Sequence, residues 1–559
     1  MRDQTRRMRC VRTALLVTFL VLFAVWFQPY ASQWLVDGLW LAAIAIWVFE
    51  VKQVATTPLF GFKVSRQDVA PIAVLILLFA CCWLPFYNNW RWAYTGDSLG
   101  EFGGVTNFAH TPQNILSIHG VDDTTTWLHL LTYNSLMFVF GFTFFWHRVG
   151  NVIMSCLSLA AIYAYFTLVL GRWWALALTL CVVTNYVWLW FSYSSYEYID
   201  SYMFYFLSLS LGQLIWWRPD RLGLWMLCGL VAGLSLFFSQ PAWSAVAAVG
   251  LVLGIFALRT RRLTAVAIYG LSFLLIGLPI FLQGMPGSRA AHVIFDWDYL
   301  SSIFLQILRL PYTSGFRHIG VFDGFLRWPL DRLYVVGVVA AGLAAVPPIR
   351  RLLRLPPIAP VLFALFFWDA MLLTLTNNGY GAPSSKRAYN LIPLQIFFGL
   401  IPLYAVYAWC KGQRVLRGLA TAGTAVAMCA YAGGSFAVIL YPTPGLYGSN
   451  SFDGLIELRQ RHPDRKVVFL TSRDVYRHAF VPNEFFNQAY HLADQVTVES
   501  DFSDAILEHA CEGHSILCTE PTYEPDRFGR LSRNDGEFTP FKVLNSNSLV
   551  CFECNGRLR

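Results

Sequence analysis

Apolar stretches of about 20 residues, nearly free of charge, recur along this chain. A helix of that length crosses the ~30 Å hydrocarbon core of a bilayer and satisfies its own backbone hydrogen bonds. Thirteen such stretches are expected to form spans, near residues 13–28, 34–51, 70–87, 149–170, 173–191, 202–217, 222–239, 242–258, 264–283, 333–349, 360–377, 389–410 and 418–441. Only 13% of the 559 residues are charged, about half the roughly 25% of soluble domains. A water-soluble core of this size would lack the polar surface to cover it.

The leader MRDQTRRMRCVRT precedes ALLVTFLVLFAVWF with no small-x-small cleavage pattern, and a second apolar segment follows at once. It reads as a retained signal anchor with its basic end in the cytoplasm. The loops on that side then hold 20 of the 29 Lys and Arg in residues 1–441, and the opposite loops hold 9. This bias orients helices. It predicts a multi-pass protein of the cytoplasmic (inner) membrane with an extracytoplasmic C-terminal domain. The +8 net charge splits into +13 (29 minus 16) over 1–441 and −5 (12 minus 17) over 442–559. The excess is explained by helix orientation, so nucleic acid is not expected as a partner.

Three parts are expected: a basic leader with a two-helix hairpin at 1–69, a membrane domain at 70–441, and a soluble α/β domain at 442–559. Two outer loops, 88–148 and 284–332, are too long to be simple turns and too rich in Trp, Phe and Leu to be disordered. They are expected to be ordered caps, with 127–146 lying along or dipping into the interface. In the tail, 452–463 has helical spacing, while KVVFLT, SILCT, FKVL and SLVCFEC read as strands. Cys511, Cys518, Cys551 and Cys554 are expected to form disulfides outside the membrane, in any of three pairings, with zinc as the alternative. The cysteines in and beside spans are read as small apolar fillers.

Candidate chemistry clusters on the outer side. Asp97 and Glu101 sit in WRWAYTGDSLGEF, early in the first long loop. A carboxylate at the membrane surface among aromatic groups can act as a base or bind a cation; the plainer reading is a solvated loop acid. Glu197 and Asp200 occupy the span junction YSSYEYIDSYMF, and Asp369 lies deeper, within FFWDAMLL. An ionisable group inside a span is costly and points to function. His147-Arg148 and Lys386-Arg387 place cations on the outer side, where they either snorkel to lipid phosphates or hold the phosphate of one particular lipid. His110, His119 and His129 share the first loop with Asp122 and Asp123 in no tight metal spacing. They read mainly as loop and interface histidines.

Taken in order, these motifs resemble the GT-C glycosyltransferases that use polyprenyl-phosphate sugars, a superfamily that includes the protein O-mannosyltransferases and the lipid A aminoarabinose transferase. The resemblance runs over about residues 70–410. It rests on Asp97 in the first outer loop, FGFTFFWHRVGNVIMSCLSLAAIYAYFTLVLGRWWALALTL, YSSYEYIDSYMFYFLSL, the glycine-bearing CGLVAGLSLFFSQPAWSAVAAVGLVLGI, and SSKRAYNLIPL. Where that family usually has two adjacent acids, this chain has Asp97-Ser98, with Glu101 four residues after Asp97.

The resemblance implies a polytopic helical membrane fold and inverting transfer of a sugar at the outer face, with a glycan, lipid or protein as acceptor. It implies that Asp97 is the base, and that Lys386, Arg387 and Arg148, with His147, face the donor phosphate. Glu101, Glu197 or Asp200 would orient the acceptor or hold a divalent cation. Membrane lipids are the other partners, and no nucleotide-binding motif occurs in the sequence. A transporter or flippase and a silent scaffold in envelope polysaccharide assembly are the competing readings. No internal repeat of the kind common in transporters is visible.

Overall fold

The computed structural model describes residues 2–26, 33–55, 66–83, 126–141, 144–185, 199–238, 242–283, 327–376 and 391–440 of the apolar part. In the tail it describes 461–470, 496–499, 503–512, 515–519, 525–533, 538–541 and 549–554, and it includes single positions near 105–116, 188–192 and 458.

Each of the thirteen apolar segments contains a helix. In chain order these are α1 (Arg2–Trp26), α2 (Gln33–Val54) and α3 (Arg66–Trp83). After them come α4 (Trp127–Phe140), α5 (Phe144–Leu170), α6 (Arg172–Val183), α7 (Asp200–Trp217) and α8 (Leu222–Leu234). The series continues with α9 (Trp243–Arg259), α10 (Leu263–Gln283), α11 (Arg327–Leu343), the short α12 (Pro347–Leu352), α13 (Ala359–Thr376), α14 (Leu391–Trp409) and α15 (Arg414–Leu440). Among the described residues, four stretches are long and apolar enough to cross a membrane by length and composition: 146–170, 263–282, 391–409 and 414–434.

One boundary differs from the sequence reading for a local reason. The span expected at 333–349 ends at Leu343, because Pro347 and Pro348 lack an N–H and open the separate helix α12 instead. The segment 127–146, expected at the interface, supplies α4. Its face Trp127, His129, Leu130, Tyr133, Asn134 and Met137 is buried, while Phe138, Val139 and Phe140 are exposed. That spacing is the i, i+3, i+4, i+7 pattern of a helix packed along one side. The helix docks on the bundle by that face and leaves its apolar end exposed.

Close packing follows the small residues. On α8, Gly229 and Gly233 form a Gly-x-x-x-Gly step against α10, where added Cβ atoms would lie 2.3 Å from the Tyr269 carbonyl oxygen and 2.6 Å from the Ile276 Cβ. In lipid, which supplies no hydrophobic drive between helices, such backbone approach is a main source of packing energy. Polar ties supplement it. Trp47 Nε1 donates to Ser272 Oγ (2.8 Å) and Trp40 Nε1 to the Leu275 carbonyl (3.3 Å), so α2 lies against α10. Deep in the bundle, Asp369 of α13 accepts from the Tyr205 hydroxyl of α7 and bonds Ser244 of α9.

The tail forms a five-stranded sheet from β1 (Val467–Leu470), β2 (Val496–Glu499), β3 (Ile516–Thr519), β4 (Phe538–Phe541) and β5 (Val550–Cys554), in the order β2-β1-β3-β5-β4. Both β2 and β3 run parallel to β1, and β5 pairs antiparallel with β3 and β4. Every residue of β1 and β3 is buried, as expected of central strands covered on both faces. The helices α16 (Asp504–Glu512) and α17 (Pro525–Arg533) contribute Leu507 and Leu531 to the core with Leu517, Phe538 and Phe552. The strand expected at 541–544 falls at 538–541, and β2 was not anticipated. The proposed helix at 452–463 lies mostly outside the described residues.

Of the three disulfide pairings, the structure selects Cys518–Cys551, residues directly opposite on β3 and β5; Cys511 is disulfide-bonded as well. Sulfurs held this way are not available as zinc ligands. With 33 residues of separation, closing this loop restricts the unfolded chain by roughly 4 kcal/mol. Replacing Cys518 and Cys551 together by Ala is therefore expected to destabilise the sheet by about 3–4 kcal/mol. Hydrogen exchange at β3 and β5 would measure it, and protection equal to the native protein would refute a stabilising bond.

Candidate functional site

The site is built on α4, α5 and the start of α7. Thr126 caps α4: its hydroxyl accepts from the His129 N–H (3.3 Å) and donates to the Phe237 carbonyl (2.8 Å), at the 3₁₀ turn that ends α8. Leu128 N donates to the Ile115 carbonyl (2.7 Å), and Asp37 of α2 bonds the Ile115 backbone, so the first long loop is fastened to the bundle here. His129 is thereby placed inward, with ring centroids 4.8 Å from Tyr133 and 5.4 Å from Phe238.

The next helix crosses α4 at Gly150, where a Cβ would fall 1.7 Å from the Tyr133 carbonyl oxygen. Only glycine lets the two backbones approach so closely. Past that crossing, one stripe of α5 carries Asn151, Ser155 and Ser158. Asn151 Nδ2 donates to the Ser192 carbonyl (3.2 Å), Ser155 Oγ to Ser192 Oγ (3.0 Å), and Ser158 Oγ to the Ile199 carbonyl (2.8 Å). From the other side, the Asp200 N–H donates to the Tyr133 hydroxyl (3.0 Å). The 199–200 peptide is thus gripped by α5 and α4 at once, which fixes where the Asp200 side chain begins.

Asp200 is fully buried, and its Oδ2 lies 3.4 Å from Nε2 of the equally enclosed His129. At that distance a protonated imidazole and a carboxylate attract one another more strongly, away from water, than the same pair would at a surface. His147 Nδ1 meets the Asn134 Oδ1, and Asn134 Nδ2 donates to the Leu130 carbonyl, so the amide oxygen is the acceptor and His147 Nδ1 the donor. The Nε2 of a neutral His147 ring then carries the lone pair. Arg148, the next residue, is 7% exposed. A guanidinium, always charged, is therefore held inside the protein rather than reaching out to bulk water.

Of the sequence-derived candidates, the structure buries His147 and Arg148 on α5, with His147 against Asn134 of α4, and Asp200 at the start of α7 against His129 of α4. Asp97, Glu101, Glu197, Lys386 and Arg387 lie outside the described residues, as do His110, His119, Asp122 and Asp123. Sequence reasoning missed the role of His129, which it grouped with the loop histidines, and of Tyr133, Asn134 and Ser158. The signal was available in the helical spacing 126, 129, 130, 133, 134, 137, which puts His129 and Tyr133 on one face. Among the described residues no group of three or more His, Cys, Asp or Glu is placed to hold a metal ion.

No family model matches the chain, and no curated protein does either. Solved structures of similar outline exist. One is ArnT from Cupriavidus metallidurans bound to undecaprenyl phosphate, 13% identical, with a TM-score of 0.44 over 86% of this chain and 98% of that one. A second is the apo oligosaccharyltransferase of Archaeoglobus fulgidus, 12% identical, with a TM-score of 0.47 over 86% of this chain and 74% of that one. A third is AglB from Archaeoglobus fulgidus in complex with an inhibitory peptide and a dolichol-phosphate, 11% identical, with a TM-score of 0.44 over 88% and 74%.

Proposed function

We propose that this protein is a GT-C-type glycosyltransferase that moves a sugar from a polyprenyl-phosphate donor to an acceptor hydroxyl at the outer membrane face. The observation that carries the reading is the set of buried polar groups on three neighbouring helices: His129 against Asp200, His147 against Asn134, and Arg148 next to His147 in the chain. Neutral packing would serve a purely structural junction at less cost, since desolvating charges is expensive. A set holding a carboxylate, two imidazoles and a guanidinium suits an anionic ligand whose charge grows as a bond breaks.

In this mechanism the donor's isoprenoid tail stays in lipid and its phosphate rests against Arg148, Lys386 and Arg387. Asp97 takes the proton of the acceptor hydroxyl as that oxygen attacks the anomeric carbon. The bond from that carbon to the phosphate oxygen breaks on the opposite side, so configuration inverts and the electron pair leaves on the phosphate. Donors aimed at this developing charge supply a large part of the rate. Asp200, fixed by His129 and by its own backbone, orients the acceptor together with Glu197 and Glu101, or with them holds a divalent cation. The acceptor is a glycan, a lipid or a protein. The rival transporter reading leans on Asp369, but that carboxylate is engaged by Tyr205 and Ser244 in a tie between three helices.

Purified protein incubated with a panel of radiolabelled polyprenyl-phosphate sugars is expected to release or transfer label from at least one; inertness toward all of them, with and without Mg²⁺ or Mn²⁺, would reject the proposal. Exchanging Lys386 and Arg387 together for Ala is expected to raise the KM for donor by at least about tenfold, since each charge-assisted phosphate contact is worth roughly 1.5–3 kcal/mol. An unchanged dependence of rate on donor concentration would remove these residues from the phosphate site.

A further inference from the structure

The end of the bundle remote from the candidate site gathers three turns around the last residues of α14. Arg354, one of two non-glycine residues with a left-handed backbone among those described (φ 51°), donates from Nη1 to the carbonyls of Ala408 (2.9 Å) and Trp409 (3.4 Å). Its guanidinium lies 5.8 Å from the Trp409 ring centroid. This ties the turn before α13 to the turn before α15. Trp174 at the start of α6 packs on Tyr404 and Tyr407 of α14, with centroids 5.1 and 5.7 Å apart, which brings the third turn to the same place. Together the turns 171–174, 344–358 and 410–417 carry six Arg and one Lys and no Asp or Glu. Arg354 is occupied in capping α14, whereas Arg351, Arg414 and Arg417 are exposed and Arg350 is half-buried.

Two tryptophans mark the depth. Trp173 and Trp409 are 75% and 58% exposed beside these arginines, the placement such rings take at headgroup level. Further into the apolar zone, α6, α11, α14 and α15 leave a shallow, open crevice lined by Cys181, Leu333, Ile396, Leu400, Leu403 and Met428, with only about 20 Å³ of enclosed space. Leu403 precedes Trp409 by six residues, about 9 Å along the helix. The crevice therefore starts where an acyl chain would leave the headgroup region, and it continues toward the bilayer centre.

We infer that this is a binding site for an anionic phospholipid of the leaflet on the basic side. Its phosphate lies on Arg350, Arg351, Arg414 and Arg417, and one acyl chain lies along the open crevice. Sign, depth and shape converge: a basic rim with no acid, an aromatic belt at headgroup level, and an apolar slot directly below. A soluble phosphate would use the rim alone; the slot selects a lipid.

The test is native mass spectrometry of the full chain in micelles holding equal amounts of phosphatidylglycerol and phosphatidylcholine with identical chains. The native protein is expected to retain phosphatidylglycerol about tenfold over phosphatidylcholine. The variant R350Q/R351Q/R414Q/R417Q, which spares Arg354, is expected to lose that preference by at least about tenfold, as near-surface charges on anionic lipid allow. Leu403→Trp, which fills the slot, is expected to lower phosphatidylglycerol retention severalfold with the rim intact. Water-soluble glycerophosphoglycerol in hundredfold excess is expected not to compete. Equal retention of the two lipids by the native protein would overturn the inference without any variant. So would undiminished retention in either variant, or effective competition by the soluble headgroup.

Discussion

Asparagine at position 97 is expected to abolish sugar transfer, lowering the rate by about 10²–10⁴-fold, the usual contribution of a positioned general base. The amide keeps the volume of the carboxylate but cannot accept a proton, so binding of donor should change little while kcat collapses. Asp200→Asn provides the contrast. Asp200 is buried against His129, and its backbone is held by Tyr133 and Ser158. Its amide should disturb acceptor placement, so the KM for acceptor should rise with kcat only modestly reduced. The measurement is steady-state transfer in membranes with protein levels matched by immunoblot. Undiminished transfer by the Asp97→Asn protein would reject that residue as the base. A collapse of kcat in Asp200→Asn with full activity in Asp97→Asn would exchange their roles.

The second large effect concerns assembly. Gly150→Ala puts a methyl group 1.7 Å from the Tyr133 carbonyl oxygen, a distance at which backbone, not a pliable side chain, must move. Overpacking typically costs about 1–3 kcal/mol and more when the neighbour is rigid; two helix backbones are rigid neighbours. Separating α4 from α5 also withdraws Tyr133 from the Asp200 N–H and Asn134 from His147. Gly150→Ala is expected to lower the thermal midpoint in detergent by several degrees and to abolish transfer at temperatures where the protein is still folded. Gly254→Ala is the control. It sits on α9 with nothing within 4 Å of the added carbon, and it should change neither property. A native midpoint for Gly150→Ala would mean that the helices are less tightly apposed than described.

These expectations divide between what the residue order dictates and what the packed chain decides. Apolar runs near bilayer thickness, the Lys and Arg asymmetry and the change of composition after Tyr441 follow from one-dimensional rules of solvent and charge. The positions of the helices, the membrane character and an α/β tail were therefore legible without coordinates. Polar residues at the ends of apolar runs were legible too: His147, Arg148 and Asp200 stood out there, and all three are buried.

Partners far apart in sequence were not legible. His129 meets Asp200, 71 residues away, because Gly150 lets α5 approach α4 and because Ser158 and Tyr133 clamp the peptide before Asp200. That encounter depends on the crossing of two helices, which no periodicity records. The same holds for the Cys518–Cys551 pairing, set by the register of β3 against β5, and for the basic rim, assembled from three turns by Arg354 capping α14 and by Trp174 packing on Tyr404 and Tyr407. Hydrophobic pattern sets where each helix lies. Close backbone contact and buried hydrogen bonds set which side chains face one another, and they form only once the helices have packed.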